Sequence, residues 1–475
     1  MAGQVNATPG FSLQPSAQQV PLSTNYITNF DFLNQYLPDT YEKEFERYGN
    51  RTVSSFLRMV GAEMPSNSDL IKWAEQGRLH TKYTNCTSAG VAGDDTATIT
   101  VNDTLVPAGG SIAVRVGQTV MLTANSGAGS NKAIVTAVDV ANDTFDVAYY
   151  EAGGQAFIGQ ATVFIYGSEF KKGTNGMQGS LEADDEIFEN SPIILKDKYA
   201  VSGSDMAQIG WVEVETENGA SGYLWYLKSE HETRLRFDDY LETSMIEAVP
   251  AEAGSGAAAT TGDVGNKGSE GIFYSVSDRG NVWGGGNPST LTEFDSIVSR
   301  LDKQGAIEEN VLFVDRDFSF DIDDMLATLN GYVSGGASNS ASFGLFDNDT
   351  EMALNLGFSG FRRGYDFYKS DWKYLNDPTM RGGLPVGAGS GRVNGLLVPA
   401  GSKTVYDQIL GKNAKRPFLH VRYRASETED RRYKTWITGS AGGATNSDLD
   451  AMEVNFLSER AVCTLGANNF FLFAE

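Results

Sequence analysis

The sequence predicts an α+β protein into which a small β-barrel has been inserted. Three observations carry that expectation. Residues 221–249 read as one long helix. Residues 94–166 break into short alternating runs separated by turn clusters. The remainder passes through a helix–strand–helix order and closes on residues 393–473, which alternate as strands do.

In the long helix, Leu224, Leu227, His231, Leu235, Leu241, Met245 and Val249 recur three, four or six residues apart. That spacing keeps them near one stripe of a 3.6-residue turn, and Phe237 joins the stripe through Leu241. Glu230 precedes Arg234 by four residues and Glu232 precedes Arg236 by four, the acid-first order that favours pairing along a helix. Ser221 is the expected cap and Pro250 the stop. About 28 residues at 1.5 Å each make a rod of roughly 40 Å. Such a rod is expected to brace something wider than it is thick.

Taken in order, residues 1–84 read as a polar N-terminal arm followed by short helices. The arm, to about Tyr36, is rich in Gln, Asn, Ser and Pro, with Phe11, Leu13, Val20, Leu22, Tyr26, Phe30 and Phe32 scattered through it. The helices are expected at 38–48, 53–60 and 68–77, the last capped by Ser68-Asp69 and closed by Gly77. Residues 85–166 are the inserted small β-barrel or sandwich, with strands expected at 96–101, 111–116, 119–123, 133–138 and 144–149. Residues 167–218 read as an extended hairpin whose strands, 193–201 and 209–215, are joined by Ser202–Asp205. So few large apolar residues cannot stabilise a hairpin alone, so it needs another surface to lie on.

The long helix fills 219–250. Residues 251–271 are Ala, Gly, Ser and Thr, flexible by composition. Thr290 and Glu293 form a capping box for a helix closed near Gly305, and 310–315 is a short buried strand. Asp321 is the expected cap of the next helix, which ends at Gly331. The region from there to Gly391 has no clear assignment. Strands follow at 393–399, 418–424, 433–438, 452–459, 460–465 and 469–473.

With 475 residues, 41% hydrophobic, the chain can bury several cores, and its length suggests two to four domains. Its formal net charge of −24 argues against nonspecific wrapping of nucleic acid. The basic clusters Lys412–Arg416 and Arg422–Lys434 read as solvated strand faces. Cys86 and Cys463 are the two cysteines, so there is neither a disulfide framework nor a CxxC metal pair, which suits a reducing cytosol. No secretory signal and no run of about 18 apolar residues is present, so a membrane span is not expected. The triplets Asn102–Thr104 and Asn142–Thr144 read as chance rather than glycan acceptors.

No assembled chemistry is legible. His80, His231 and His420 are widely separated and form no zinc pattern. The acids Asp315, Asp317, Asp321, Asp323 and Asp324 read as helix capping and a solvated turn rather than a cation site. Asp347-Asn-Asp349-Thr-Glu351 lacks the glycine and the terminal glutamate of a calcium loop. Gly401–Thr404 lacks the spacing of a phosphate loop, and Gly387–Gly391 has serine in the wrong place for a nucleophile elbow. The expectation is therefore no catalytic, cofactor-binding or metal residue, no cofactor, and no enzyme.

The order of parts resembles the major capsid protein of tailed bacteriophages, the Hong Kong 97-like fold. Phe170–Glu215, including SPIILKDKYAVSGSDMAQIGWVEV, matches that family's extended loop. Ser221–Val249 matches its spine helix, and MEVNFLSERAVCTLGANNFFLF (Met452–Phe473) its last peripheral-domain strands. Residues 251–475 would then alternate between peripheral and axial domains. Some phrases are similar to the crAss-like gut phages. The barrel departs from the minimal fold.

The resemblance implies a structural protein that self-assembles as hexamers and pentamers into the icosahedral head shell around the phage genome. The implied partners are further copies of itself, the portal, scaffolding and head decoration proteins, and packaged double-stranded DNA met without sequence specificity. The implied location is the virion, after assembly in the host bacterial cytoplasm. Two other classes are weighed against it. A phage tail protein or adhesin with a β-rich binding module predicts a trimeric fibre with repeats, and neither repeats nor heptads are seen. A glycan-cleaving enzyme predicts two close carboxylates in an aromatic cleft.

Overall fold

A computed structural model describes residues 63–77, 82–91, 93–102, 112–127, 129–154, 159–179, 185–207, 214–215, 221–222, 225–258, 265–305, 307–334, 360–384, 391–407, 412–443 and 445–474. The expected arm and the helices at 38–48 and 53–60 lie outside them. The chain divides into two compact units, Trp73–Phe188 and the remainder.

The described chain opens with two strands, β1 (Glu63–Ser66) and β2 (Ile71–Gln76). The helix expected at 68–77 is therefore a turn and a strand. Ser68 Oγ accepts from Leu70 N at 3.2 Å and donates to Leu70 O at 2.8 Å, a local turn that competes with helix capping. From Ile71 onward, burial alternates as on a half-covered strand.

In the first unit, β3 (Lys82–Ala89), β4 (Thr96–Val101), β5 (Gln118–Ala124), β6 (Ser130–Asp139), β7 (Thr144–Tyr149) and β8 (Gly159–Ser168) close into a barrel. The order around it is β3-β4-β7-β6-β5-β8, antiparallel throughout. Cys86, Ile99, Val120, Leu122, Val135, Phe145, Val147 and Val163 fill it. Four of the five expected strands are present. The fifth, expected at 111–116, is not a strand over its described residues, 112–116. Ala113 N donates to Tyr83 Oη, Ile112 N to Asp143 Oδ1, and Arg115 N to Gln118 Oε1. With these three amides taken by side chains, the segment stays irregular and still buries Ile112 and Val114 fully in the core. β3 escaped the pattern because a register shift between Tyr83 and Cys86 breaks its alternation.

β9 (Asp185–Asn190) pairs with β2, so the chain leaves the barrel unit beside the strand by which it entered. The Trp73 and Phe188 rings lie 6.3 Å apart.

In the second unit, β10 (Ile193–Ser202) leads to the short helix α1 (Gly203–Met206). β10 pairs along its whole length with the strand Ala451–Thr464. Of the second run expected in the hairpin, 209–215, only β11 (Val214–Glu215) is described, paired with β12 (Ser221–Gly222). The long helix, α2, is Trp225–Glu247. Ser221 belongs to β12 and is not its cap. Phe237, Leu241 and Met245 form its buried stripe, but Leu235 and Val249 are exposed. Arg236 turns instead to β10, donating from Nε and Nη2 to Asp197 at 2.8 and 3.0 Å.

The segment after Pro250 is tied at its base, with Ala251 N donating to Lys267 O. Asn190 Oδ1 accepts from Ser269 Oγ and Glu270 N nearby. Next come α3 (Ile272–Arg279) and β13 (Asn281–Trp283). α4 (Leu291–Gln304) carries the expected capping box, and Gly305 closes it in the left-handed conformation that glycine adopts without penalty. β14 (Glu309–Val314) matches the expected strand.

α5 (Arg316–Ser334) starts five residues before Asp321. Its cap is Asp315, whose Oδ1 accepts from Phe318 N at 2.7 Å. The unassigned region supplies a hairpin, β15 (Gly360–Arg363) and β16 (Tyr365–Asp371), then α6 (Lys373–Asn376).

β17 (Val393–Pro399) is followed by a second hairpin, β18 (Ser402–Asp407) and β19 (Lys412–Pro417), then β20 (Leu419–Arg424) and β21 (Lys434–Gly439). The strands expected at 452–459 and 460–465 are one, β22 (Ala451–Thr464). β23 (Phe471–Ala474) closes the chain.

These strands make two larger sheets. One runs β1-β20-β22-β10, with β21 also on β22. The other is six-stranded, β13-β23-β17-β14-β16-β15. Met245 and Ile246 of α2 share a core with Phe313, Leu396, Val421, Val462 and Leu472, which joins the two sheets. α2 itself lies over β10 and β22, where Phe237 and Leu241 pack on Met452, Val454 and Phe456.

Candidate interaction surface

β22 is the centre of the first sheet. Its N-terminal half is flanked by β10 on one side and β21 on the other. Among the described residues, neither flanking strand has a further neighbour on its outer edge. Such an edge carries backbone donors and acceptors that face no strand of the same chain.

The side chains along the two edges differ. On β10, Ile194, Lys196, Lys198 and Ala200 are exposed while the alternate residues are half-buried. Ile194 is 52% exposed. On β21, the adjacent residues Trp436 and Ile437 are both exposed. Neighbours on a strand point to opposite faces, so β21 is covered on neither face at that point. Tyr433, just before β21, reaches Phe237 of α2 edge-on at 5.4 Å between ring centres. Burial pushes its hydroxyl up to about 12.

The opposite end of the sheet is ionic. β1 lies parallel to β20, and Glu63 pairs with Arg432 and, at 3.6 Å, with Arg460. Asp69 pairs with Arg424, and Glu459 with Arg431 at 2.7 Å. The Glu63 pairs tie β1 to the sheet, and Asp69 holds the turn that follows it.

The candidate chemical residues fall into structural roles. Asp315 caps α5 and accepts from Arg392 Nη2 at 3.0 Å; burial raises its pKa against the pull of that hydrogen bonding. Asp321 accepts from Asn287, and Asp323 pairs with Lys369 in the interior. Among the described residues no group of three His, Cys, Asp or Glu is placed to hold a metal ion. His231 is half-buried on α2. His420 is buried on β20, its Nδ1 3.1 Å from Pro417 O, and burial holds its pKa down at about 4. Cys86 and Cys463 are buried and unpaired with each other. Ser402–Thr404 lies in β18, a plain hairpin strand. His80 and residues 347–351 and 387–390 lie outside the described residues.

The exposed Trp436–Ile437 pair was missed in the sequence. Two adjacent large apolar residues within an otherwise alternating strand are the signal that would have found it.

Comparisons with known proteins add the following. Neither a family model nor a curated protein matches the sequence. Solved structures similar to it include the following. A chain of Microbacterium phage Oxtober96 is 9% identical and covers 93% of this chain and 97% of its own, with a TM-score of 0.38. A chain of the capsid of the native GTA particle is 8% identical and covers 93% and 96%, with a TM-score of 0.36. A chain of the bacteriophage PhiM1 mature capsid is 10% identical and covers 65% and 78%, with a TM-score of 0.33.

Proposed function

We propose that this chain is the repeating structural subunit of a viral head shell, a major capsid protein of the Hong Kong 97-like type. The observation that carries the reading is the sheet centred on β22. Both strands flanking its N-terminal half are open at the outer edge among the described residues, and the two edges are unlike. Unlike edges favour heterologous, head-to-tail contacts, and contacts of that kind close into rings when the rotation allows. Hexamers and pentamers are such rings. α2 braces the sheet from behind through Phe237 and Leu241, so contacts along the edges act on a stiff body.

The acidic balance of the chain fits the same role. At a formal net charge of −24 the wall repels packaged double-stranded DNA rather than adhering to it, and holds the genome by enclosure. Portal, scaffolding and decoration proteins are the remaining partners of this reading. It needs no cofactor and no catalysis, and its place is the virion.

The test is negative-stain microscopy of the purified full chain. Closed shells, tubes or ring-shaped capsomers are expected. Uniform monomers, or trimeric fibres of the kind an adhesin forms, would refute it.

A further inference from the structure

The barrel unit carries a cleft of about 670 Å³ on one flank. It lies between the end of β6 and the segment Glu169–Gln178, which leaves β8 and folds back over the turn at Gly117. Glu169 N donates to Gly117 O at 2.9 Å. Gly117 has φ +88, and a Cβ there would come within 2.5 Å of the Phe170 ring. Glycine is thus what lets the ring close on the turn and hold the cleft's wall.

Three features of the cleft point the same way. Its wall is apolar and open to water: Val116 is 51% exposed, Val140 46% and Phe170 40%, with Val138 between the strands. Exposed apolar side chains gathered in this way mark a binding groove. Its charge is basic, although the protein is acidic. Arg115 and Lys171 line it, and the one acid among the lining residues, Glu169, already accepts from Tyr150 Oη at 2.6 Å. Finally, Asn175–Gln178 runs without regular structure along the rim, and its backbone makes no hydrogen bond to the described residues. Such a rim offers unpaired backbone donors and acceptors to an extended segment laid along it.

We infer that this cleft binds an extended peptide segment of another protein, in which apolar side chains alternate with carboxylates. The apolar residues enter between Val140 and Phe170, the carboxylates meet Arg115 and Lys171, and the backbone pairs with Asn175–Gln178. The inference stands apart from the assembly reading, since a monomer would bind in the same way.

The test uses the full chain and two fluorescein-labelled decapeptides, one alternating valine with aspartate and one alternating valine with lysine, followed by anisotropy. The aspartate peptide is expected to bind at least tenfold more tightly than the lysine peptide. Lys171→Glu and Val140→Asp, both at solvent-accessible positions, should each weaken it at least tenfold with an unchanged circular dichroism spectrum and melting temperature. Equal binding of the two peptides, no binding of either, or unchanged affinity in both folded variants would overturn the proposal. So would self-association that saturates the cleft and is lost in the same two variants, since the occupant would then be a second copy.

Discussion

His420 shows how burial sets a pH limit on the molecule. Its folded pKa, at about 4, lies below the ordinary value of 6.5 because burial disfavours the charged ring. The unfolded chain therefore takes up the proton first as pH falls. The contribution is fully present above pH 6.5 and is lost progressively as pH falls to about 4, by at most about 3 kcal/mol. Urea unfolding of wild type and His420→Gln at pH 7.5 and pH 4.5 should show the variant losing less stability between the two. Lys369 and Asp323 give a second residue-scale prediction. Their side chains are 8% and 7% exposed and pair with each other. Lys369→Met leaves a buried carboxylate without its cation and should cost about 3–5 kcal/mol in thermal or urea unfolding. Adding Asp323→Leu should restore much of it.

At the scale of elements, α4 was legible to its caps because the signals are local: Thr290 Oγ1 accepts from Glu293 N, and Glu293 reaches back to Thr290 N. Thr290→Ala should cost about 1 kcal/mol of unfolding free energy. α2 was legible as a helix, but only part of its expected stripe is buried. Spacing places Leu235 and Val249 near the stripe; only the tertiary structure decides that Phe237 faces β22 while Leu235 faces out. Phe237→Ala opens a void against Phe456 and Met452 and should cost about 3–5 kcal/mol, read as a lower urea midpoint. The failures have a common cause. Residues 68–77 and 111–116 had adequate local patterns, and each was settled by a group elsewhere in the chain: the partner strand β9, and the side chains of Tyr83 and Asp143. Sequence spacing does not encode such partners. The open edges could not be read from the sequence, because an edge is a property of a sheet and not of a strand.

For the whole molecule, the decisive variant is Trp436→Asp with Ile437→Asp. Both side chains are already exposed, so the fold and its circular dichroism spectrum should be unchanged. If the chain assembles as proposed above, the shells or capsomers should be lost and the variant should sediment as a monomer. The clasp of Glu63, Asp69, Arg424 and Arg432 over β1 should loosen in about 1 M salt, where exposed pairs are screened, seen as faster amide exchange across Glu63–Ser66. The ribbon of Ile71–Gln76 beside Asp185–Asn190 has a consequence of its own. Because its two strands run side by side, Trp73 and Phe188, the ends of the intervening segment, stand close together. A replacement segment whose own ends lie equally close can bridge the same gap. The same property makes this the natural place to graft a foreign domain for display.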